Sequence, residues 1–241
     1  KQIRAPSWNI ERGTELEGIL AVFREHPEIS GSDLLLLSPN DQELLRVEAP
    51  TGRLRWRQPV DEPVTAAPVV AEDRVLLATR SGRLLEIDLD SGTRTGYVQL
   101  PQPLRVAPAV DLRRGLVFQL AEQSDLFVLS LSDGSCRRVE YVGHEAGSVT
   151  APPVVAGRLL LFAVNDSMTS CLLKVLAVEE APDGAGLLLH QVDGAGERLD
   201  GHVDAPPAVS GRRVAVVTDA GVVKVYELAG AQSAKPLIEV A

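Results

Sequence analysis

A short proline-containing phrase recurs along the chain, and it constrains the fold more than any other feature. It reads AAPVV, APAV, APPVV and APPAV, and each copy precedes a few polar residues and then an apolar run. The final valines of the copies are Val70, Val110, Val155 and Val209, which lie 40, 45 and 54 residues apart. Repeats of this length are typical of propeller blades and of helical solenoids. The residues between the copies alternate in steps of two rather than 3.6, which favours blades.

The second repeat predicts a four-stranded antiparallel sheet. Its apolar runs are separated by turns that contain Gly82 and Gly92. A tight hairpin turn requires a positive φ, which glycine adopts at low cost. We therefore predict that the strands of this repeat lie at residues 67–70, 75–78, 84–88 and 94–100.

The same order of strands and turns recurs in the other repeats. Residues 34–60 match the second repeat at an offset of 40, which aligns Gly52 with Gly92, and Gly134 takes the same place in the third repeat. We predict an all-β fold, a β-propeller of four-stranded antiparallel blades. Five blades are visible, at residues 15–60, 61–100, 101–145, 146–200 and 201–241.

The first and fourth repeats depart from this pattern. The fourth is longer because it contains residues 181–186 and 193–204, both of which we interpret as loops. The first lacks the proline phrase, and residues 16–24 are compatible with a short helix. A strand at residues 18–23 is favoured, because the strands that follow need an innermost partner. Residues 3–10 are expected to pair with the last repeat and close the ring, which would remove two exposed sheet edges.

The recurring proline is explained by the position of its strand. The innermost strand of a blade has a neighbour on one side only, so a missing backbone N–H there breaks no ladder hydrogen bond. A chain of 241 residues can form two small domains or one larger β domain. We predict one propeller domain over residues 1–241. Because the sequence begins at Lys1 without a methionine, we expect either a mature secreted chain or part of a longer one.

Charge and cysteine content exclude several classes of function. The formal net charge is -9, so a nucleic-acid partner is not expected, since phosphate backbones would be repelled. No apolar run is long enough to span a membrane as a helix. Cys136 and Cys171 are too few for a disulfide framework or a zinc site, and two free thiols are favoured over one bridge.

The repeats resemble the PQQ-like propeller repeat of bacterial quinoproteins and of the lipoprotein of the BAM complex. The resemblance is carried by residues 66–70, 82–93 and 47–56, and Trp56 stands where that family places a tryptophan that closes each blade. Tyr97 lies close to the same place in the second repeat, whereas the later repeats have no aromatic match. The resemblance implies a bacterial propeller protein that is periplasmic, associated with the cell envelope, or secreted. Full-length relatives have seven or eight blades.

No residue pattern supports catalysis or a cofactor. Quinoproteins of this family hold their cofactor with a Cys-Cys pair, which is absent here, so we expect no cofactor and no enzyme activity. Asp88 and Asp90 lie in a strand-end turn that lacks the further ligands of a calcium loop. His144 and His202 follow successive repeats and would need a third ligand such as Glu145 to hold a metal, so solvated loop histidines are favoured.

The remaining candidate is the face formed by the loops that lead into each first strand and by the turns between second and third strands. These loops are polar and mostly acidic, and loops on a rigid scaffold commonly bind partners. We expect the face to bind a protein or peptide, with a basic segment favoured. The alternatives are a degenerate quinoprotein-like or sensor domain that binds a small molecule in the axial channel, a structural spacer, and loops that serve solubility alone. The candidate residues are Asp41, Asp61, Glu62, Arg80, Glu122, His144, Glu145, Asp166, His202 and Asp219.

Overall fold

The structure is a computed structural model, and in the residues that it describes all regular secondary structure is β-strand. It describes residues 33–38, 42–64, 66–181, 186–192, 196–229 and 237–240. These residues form five antiparallel sheets, which confirms the predicted all-β propeller fold. The chain divides into two compact units, Lys1–Ala107 and Pro108–Ala241. The prediction of a single domain is not tested by this division and stays a prediction.

The first unit contains two sheets. The strands of the first sheet are β1 (Asp33–Ser38), β2 (Glu43–Glu48) and β3 (Leu54–Pro59). The strands of the second sheet are β4 (Val69–Ala71), β5 (Arg74–Ala78), β6 (Arg83–Asp88) and β7 (Arg94–Gln99). In both sheets the strands pair in chain order. The offset of 40 read from the sequence relates β2 to β6 and β3 to β7 residue for residue.

The second unit contains the other three sheets. The third sheet consists of β8 (Ala109–Asp111), β9 (Leu116–Leu120), β10 (Asp125–Ser130) and β11 (Cys136–Tyr141). The fourth consists of β12 (Val154–Ala156), β13 (Leu159–Val164), β14 (Ser170–Glu180), β15 (Leu187–Gln191) and β16 (Glu197–Asp200). The fifth consists of β17 (Ala208–Ser210), β18 (Arg213–Val217), β19 (Val223–Leu228) and β20 (Leu237–Glu239).

The fourth sheet corrects one prediction. The segment 193–204 was predicted to be a loop, but residues 197–200 form β16, which pairs with the first half of β14. β15 pairs with the second half of the same strand. β14 is 11 residues long and therefore has room for both partners along one edge. The apolar Leu199 is buried within β16, and that single residue was too weak a periodic signal to predict a strand.

The recurring prolines precede their strands rather than lie within them, so the strand predicted at residues 67–70 begins only at Val69. Pro68, Pro108, Pro153 and Pro207 each come directly before a three-residue strand. In every case that strand stands at one end of its sheet's pairing order and has a neighbour on one side only. The missing N–H of each proline therefore removes no hydrogen bond from a central ladder.

A buried tryptophan joins the two sheets of the first unit. The indole Nε1–H of Trp56 donates to the carbonyl oxygen of Leu89 at 2.9 Å, and the side chain is 8% exposed. Gly92, at φ 73°, lies directly against the ring, since an added Cβ would be 2.5 Å from Trp56 Cδ2. In the second sheet the position equivalent to Trp56 is Gly96, and the neighbouring Tyr97 is 55% exposed. Tyr97 therefore does not take the tryptophan's role.

The core is mostly aliphatic, with buried aromatic side chains at Trp56 in the first unit and at Phe118, Phe127, Phe162 and Tyr226 in the second. In the first unit the buried cluster around Trp56 consists of Val and Leu side chains and Ile87. In the second unit the buried cluster contains Tyr226 and Cys171 among Leu, Val and Ala side chains. Cys136 is exposed, and both thiols are free, as favoured from the sequence.

The described part of the chain contains no helix that could serve as a membrane-spanning segment.

Two predictions lie outside the described residues. One is the strand at residues 18–23 with its helical alternative, and the other is the pairing of residues 3–10 with the last repeat.

Candidate functional site

The candidate loops gather at one end of each sheet. Because successive strands are antiparallel, the start of a first strand and the turn between the second and third strands lie at the same end. We call this end of a sheet its loop end. The opposite end carries the turns between first and second and between third and fourth strands, and we call it the turn end.

In the first unit, the loop end of the second sheet is built around Glu62. Its side chain is buried and accepts a hydrogen bond from Ser81 Oγ. Arg83 Nη1 lies 3.4 Å from the other carboxylate oxygen. Asp61, at φ 61°, and Arg80 are exposed beside it, and Arg80 N donates to Pro63 O at 3.1 Å. The structure therefore brings Asp61, Glu62 and Arg80 together. Asp41 lies outside the described residues.

In the second unit, Asp166 forms an ion pair across the fourth sheet. Arg198 Nη2 lies 2.6 Å from Asp166 Oδ2, and Arg198 Nη1 donates to Ser170 Oγ at 2.6 Å. The guanidinium group of Arg198 lowers the pKa of Asp166. Asp166 is therefore a fixed, ionised carboxylate rather than a freely moving loop side chain.

His202 and Asp219 hold neighbouring loops of the second unit together. His202 N donates to Asp219 Oδ1 at 2.6 Å, and Asp219 N donates to His202 O at 2.9 Å. His202 Nε2 lies 2.7 Å from Ser167 O. Gly201 has a φ of 86° and lies so close that an added Cβ would be 2.6 Å from Asp219 Oδ1. These contacts fix the loop between β16 and β17 against the turn between β18 and β19.

His144 is buried, so the prediction that it is a solvated loop histidine is wrong. Its ring Nδ1 lies 3.1 Å from Glu145 O, and its carbonyl oxygen accepts hydrogen bonds from Ser124 N and Ser124 Oγ. The side chain is 4% exposed. These bonds fix the loop after β11 on the turn between β9 and β10, where Glu122 lies half-buried. Glu145 itself is exposed.

The histidines do not form a metal site with their neighbours. Within the described ranges, no group of three or more His, Cys, Asp or Glu side chains could hold a metal ion. Asp88 instead accepts hydrogen bonds from Ser91 N and Ser91 Oγ, each at 2.7 Å, which lower its pKa. That arrangement is an ordinary strand-end turn, as interpreted from the sequence.

Sequence reasoning missed several residues of this surface. Arg83 and Arg198 hold two of the predicted carboxylates, and Ser81 donates to one of them. Glu62 and Arg83 lie 21 residues apart, and Asp166 and Arg198 lie 32 apart, so no local pattern relates them. Two exposed apolar side chains were also missed, Tyr141 at 75% and Met168 at 93%. Neither an apolar residue at the end of a strand, such as Tyr141, nor one in a turn, such as Met168, carries a periodic signal that could have marked it.

Comparisons with known proteins agree with the fold. The family described as "Outer membrane protein assembly factor BamB" matches residues 8–189, about three quarters of the chain. The crystal structure of BamB from Moraxella catarrhalis is similar with a TM-score of 0.52 and 16% identity, over 82% of each chain. The computationally designed Ika4 protein is similar with a TM-score of 0.51 and 14% identity, over 69% of this chain and 91% of that one. No curated protein matches the sequence. The family match covers most of the chain, and the repeats and the propeller fold agree with it. The chain therefore belongs to the outer membrane protein assembly factor BamB family.

Proposed function

We propose that this chain is a non-enzymatic β-propeller that binds another protein through the loop ends of its sheets. Its place of action is the bacterial envelope, and its partner presents a basic, extended segment. The observation that carries this proposal is that several loop-end carboxylates are held in place by their own sheets.

Paired or hydrogen-bonded carboxylates hold the loop ends in place, and the exposed carboxylates Asp61 and Glu145 are the ones open to an incoming cation. Glu62, Asp166 and Asp219 each accept at least one hydrogen bond from a neighbouring strand or turn. Groups that are already ordered lose little conformational entropy when a partner binds. Asp61 is exposed beside Glu62 in the first unit, and Glu145 is exposed at a loop end of the second unit, so each unit presents negative charge there. A basic segment is the complementary partner.

Exposed apolar side chains supply the second half of a protein-binding surface. Tyr141 and Met168 are among the most exposed large apolar residues of the described chain, and both lie at loop ends of the second unit. Aromatic and methionine side chains are enriched in the centres of protein interfaces. A partner that covers them buries apolar area in addition to pairing charges.

The family supports a role in assembly rather than catalysis. Its description names an outer membrane protein assembly factor, and such a factor works by contact with other proteins. No nucleophile and base at the loop ends form a catalytic pair among the contacts described above. We therefore propose a binding role, with the envelope as the compartment that the family description favours.

A charge-reversal experiment tests the proposal. The probe is a fluorescein-labelled peptide that alternates lysine with leucine, and binding is measured by fluorescence anisotropy at low and moderate salt. Asp61→Lys in the first unit and Glu145→Lys in the second are made as separate variants, and each is expected to weaken binding by about tenfold or more, because each reverses an exposed loop-end charge. Binding by the unsubstituted protein is expected to fall as salt rises.

The matched control is Asp73→Lys, which reverses an exposed carboxylate at the turn end of the second sheet. Its side chain is 78% exposed and makes only a loose ion pair at 3.6 Å. The proposal predicts near-unchanged binding for this variant. Equal weakening by Asp73→Lys would mean that the peptide responds to the net charge alone, and the proposed surface would be wrong.

A further inference from the structure

A trough lined with arginine lies at the turn end of the second unit. A cavity of about 830 Å³ opens between the third and fourth sheets, and a second of about 580 Å³ adjoins it. The two cavities share Arg113, Arg114, Glu180 and Leu187, so they form one continuous depression. Neither cavity is lined by any of the loop-end residues discussed above.

Arg114 forms the fixed floor of this trough. Its Nε lies 2.6 Å from Asp111 Oδ2, and Nη1 and Nη2 donate to Val178 O at 2.9 Å and Gly157 O at 2.6 Å. Asp111 also accepts hydrogen bonds from the backbone N–H groups of Arg113 and Arg114. The Arg114–Asp111 pair is therefore saturated, and it joins the third sheet to the fourth without adding net charge to the trough.

Three other arginines leave their guanidinium groups available. Arg113 and Arg158 are exposed in the larger cavity, and Arg137 is exposed in the smaller one. None of the three forms an ion pair with a carboxylate in the described part of the chain. The pKa of Asp133 is lowered mainly by hydrogen bonds from Ser135, and Arg137 adds only a minor contribution. Arg46, Arg53, Arg74, Arg83 and Arg198, by contrast, are all paired with carboxylates. The acidic groups that line the trough besides Asp111 are Glu179 and Glu180.

The trough is also partly apolar. Val155, Val178 and Leu187 line the larger cavity, and Leu112 at its rim is 53% exposed. A lone inorganic anion would leave this surface in water, whereas a ligand that carries both carboxylates and apolar side chains would cover it. Arginine forks pair with carboxylates in two parallel hydrogen bonds, which favours such a ligand over a simple counterion.

We propose that this trough binds an acidic peptide segment whose carboxylates pair with Arg113, Arg137 and Arg158. Apolar side chains of the same segment cover Leu112 and the valines between the two sheets. This site goes beyond the proposed function, because it lies at the opposite end of the sheets and takes a partner of the opposite charge.

The overall charge of the protein makes the test selective. A net charge of -9 repels an acidic peptide from most of the surface, so binding requires a local concentration of positive charge. The probe is a fluorescein-labelled peptide that alternates glutamate with leucine, and its anisotropy is followed as the protein is added. We expect saturable binding by the unsubstituted protein.

Charge-reversal variants locate the binding. Arg113→Glu and Arg158→Glu are each expected to weaken binding by about tenfold or more, because each turns an arginine–carboxylate pair into a repulsive contact. The milder substitutions Arg113→Gln and Arg158→Gln are also expected to weaken binding, but by a smaller factor. The matched control is Arg213→Glu, which changes an exposed arginine at the turn end of the fifth sheet that lines neither cavity. Binding by this variant should change less than about twofold.

Several outcomes would overturn the site. One is that the unsubstituted protein shows no saturable binding of the acidic peptide. Another is that Arg213→Glu weakens binding as much as the trough variants do. A third is that Arg113→Glu and Arg158→Glu both bind the peptide as well as the unsubstituted protein does. The loop-end variants Asp61→Lys and Glu145→Lys should each leave binding of the acidic probe intact or strengthen it. The two proposals can therefore fail separately, since each has its own probe and its own variants. Thermal unfolding of every variant confirms that the fold is retained.

Discussion

At the scale of single residues, the contact between Gly92 and Trp56 shows how one repeat position serves two purposes. Gly92 provides the positive φ that the turn between β6 and β7 requires, and its missing side chain leaves room for the indole ring. The sequence predicted the first purpose from the Ser-Gly pair in a hairpin. It could not predict the second, because Trp56 lies in the preceding repeat and its contact depends on how the two sheets pack.

The close approach predicts a specific loss of stability in Gly92→Ala. The added Cβ would lie 2.5 Å from Trp56 Cδ2, so the substitution combines backbone strain with overpacking. We expect a loss of about 2–4 kcal/mol in the free energy of unfolding, measured by urea denaturation. Gly211→Ala is the control, because Gly211 has a φ of 59° with no heavy atom near an added Cβ. That variant should lose only about 1 kcal/mol. Equal losses in the two variants would show that the ring contact contributes nothing.

At the scale of elements, the hairpin of β2 and β3 carries a cluster of charges around Glu48. Glu48 accepts hydrogen bonds from Thr51 Oγ1 at 2.7 Å and from Arg53 Nη2 at 2.7 Å, and Arg55 pairs with the same carboxylate. Arg53 is the principal cause of a Glu48 pKa lowered to about 2, with Thr51 next. The charged form of Glu48 is therefore favoured in the folded hairpin.

This cluster predicts a pH dependence of stability. A carboxyl group whose pKa is lower in the folded state stabilises the fold above its ordinary pKa, and the stabilisation is lost as pH falls through the folded value. The window for Glu48 runs from about pH 4.5 down to about pH 2. Glu48→Gln should lower the thermal midpoint at neutral pH and flatten its decline across this window. The thermal midpoint of this variant should still decline in part across the window, because the pKa of Asp133 is also lowered to about 2.

The matched variant for this test is Glu145→Gln, which changes an exposed loop carboxylate. Its thermal midpoint should follow the pH dependence of the unsubstituted protein. If Glu48→Gln shows the same slope as Glu145→Gln, the ion pairs of the hairpin do not contribute to acid stability.

The sheets were predictable from the sequence to different degrees. In the second repeat the strand predictions agree with β5, β6 and β7 within one residue, because alternation and turn glycines are local signals. β16 was missed because each of its residues pairs with a residue 24 or more positions earlier in the chain and it has one buried apolar residue. The burial of His144 was missed for a related reason: its hydrogen-bond partner Ser124 lies 20 residues away.

At the scale of the whole molecule, the two ends of the sheets differ in chemistry. The loop ends carry the carboxylates Asp61, Glu145 and Asp166. The turn end of the second unit gathers Arg113, Arg137 and Arg158. In a chain of net charge -9, these three arginines outnumber Glu179 and Glu180, the two glutamates that line the same trough. Two partners of opposite charge could then bind one chain without competition, which is a useful property in a family described by assembly.

Site-specific photo-crosslinking in the source bacterium tests the central claim most directly. A photoreactive phenylalanine analogue replaces Met168 or Glu145 at the loop ends, and Val139 on the outer strand β11 serves as the exposed control. We predict a discrete crosslinked protein partner from both loop-end positions, with none from Val139. Crosslinking from Val139 alone, or from no position at all, would contradict the claim that the loop ends bind a protein partner.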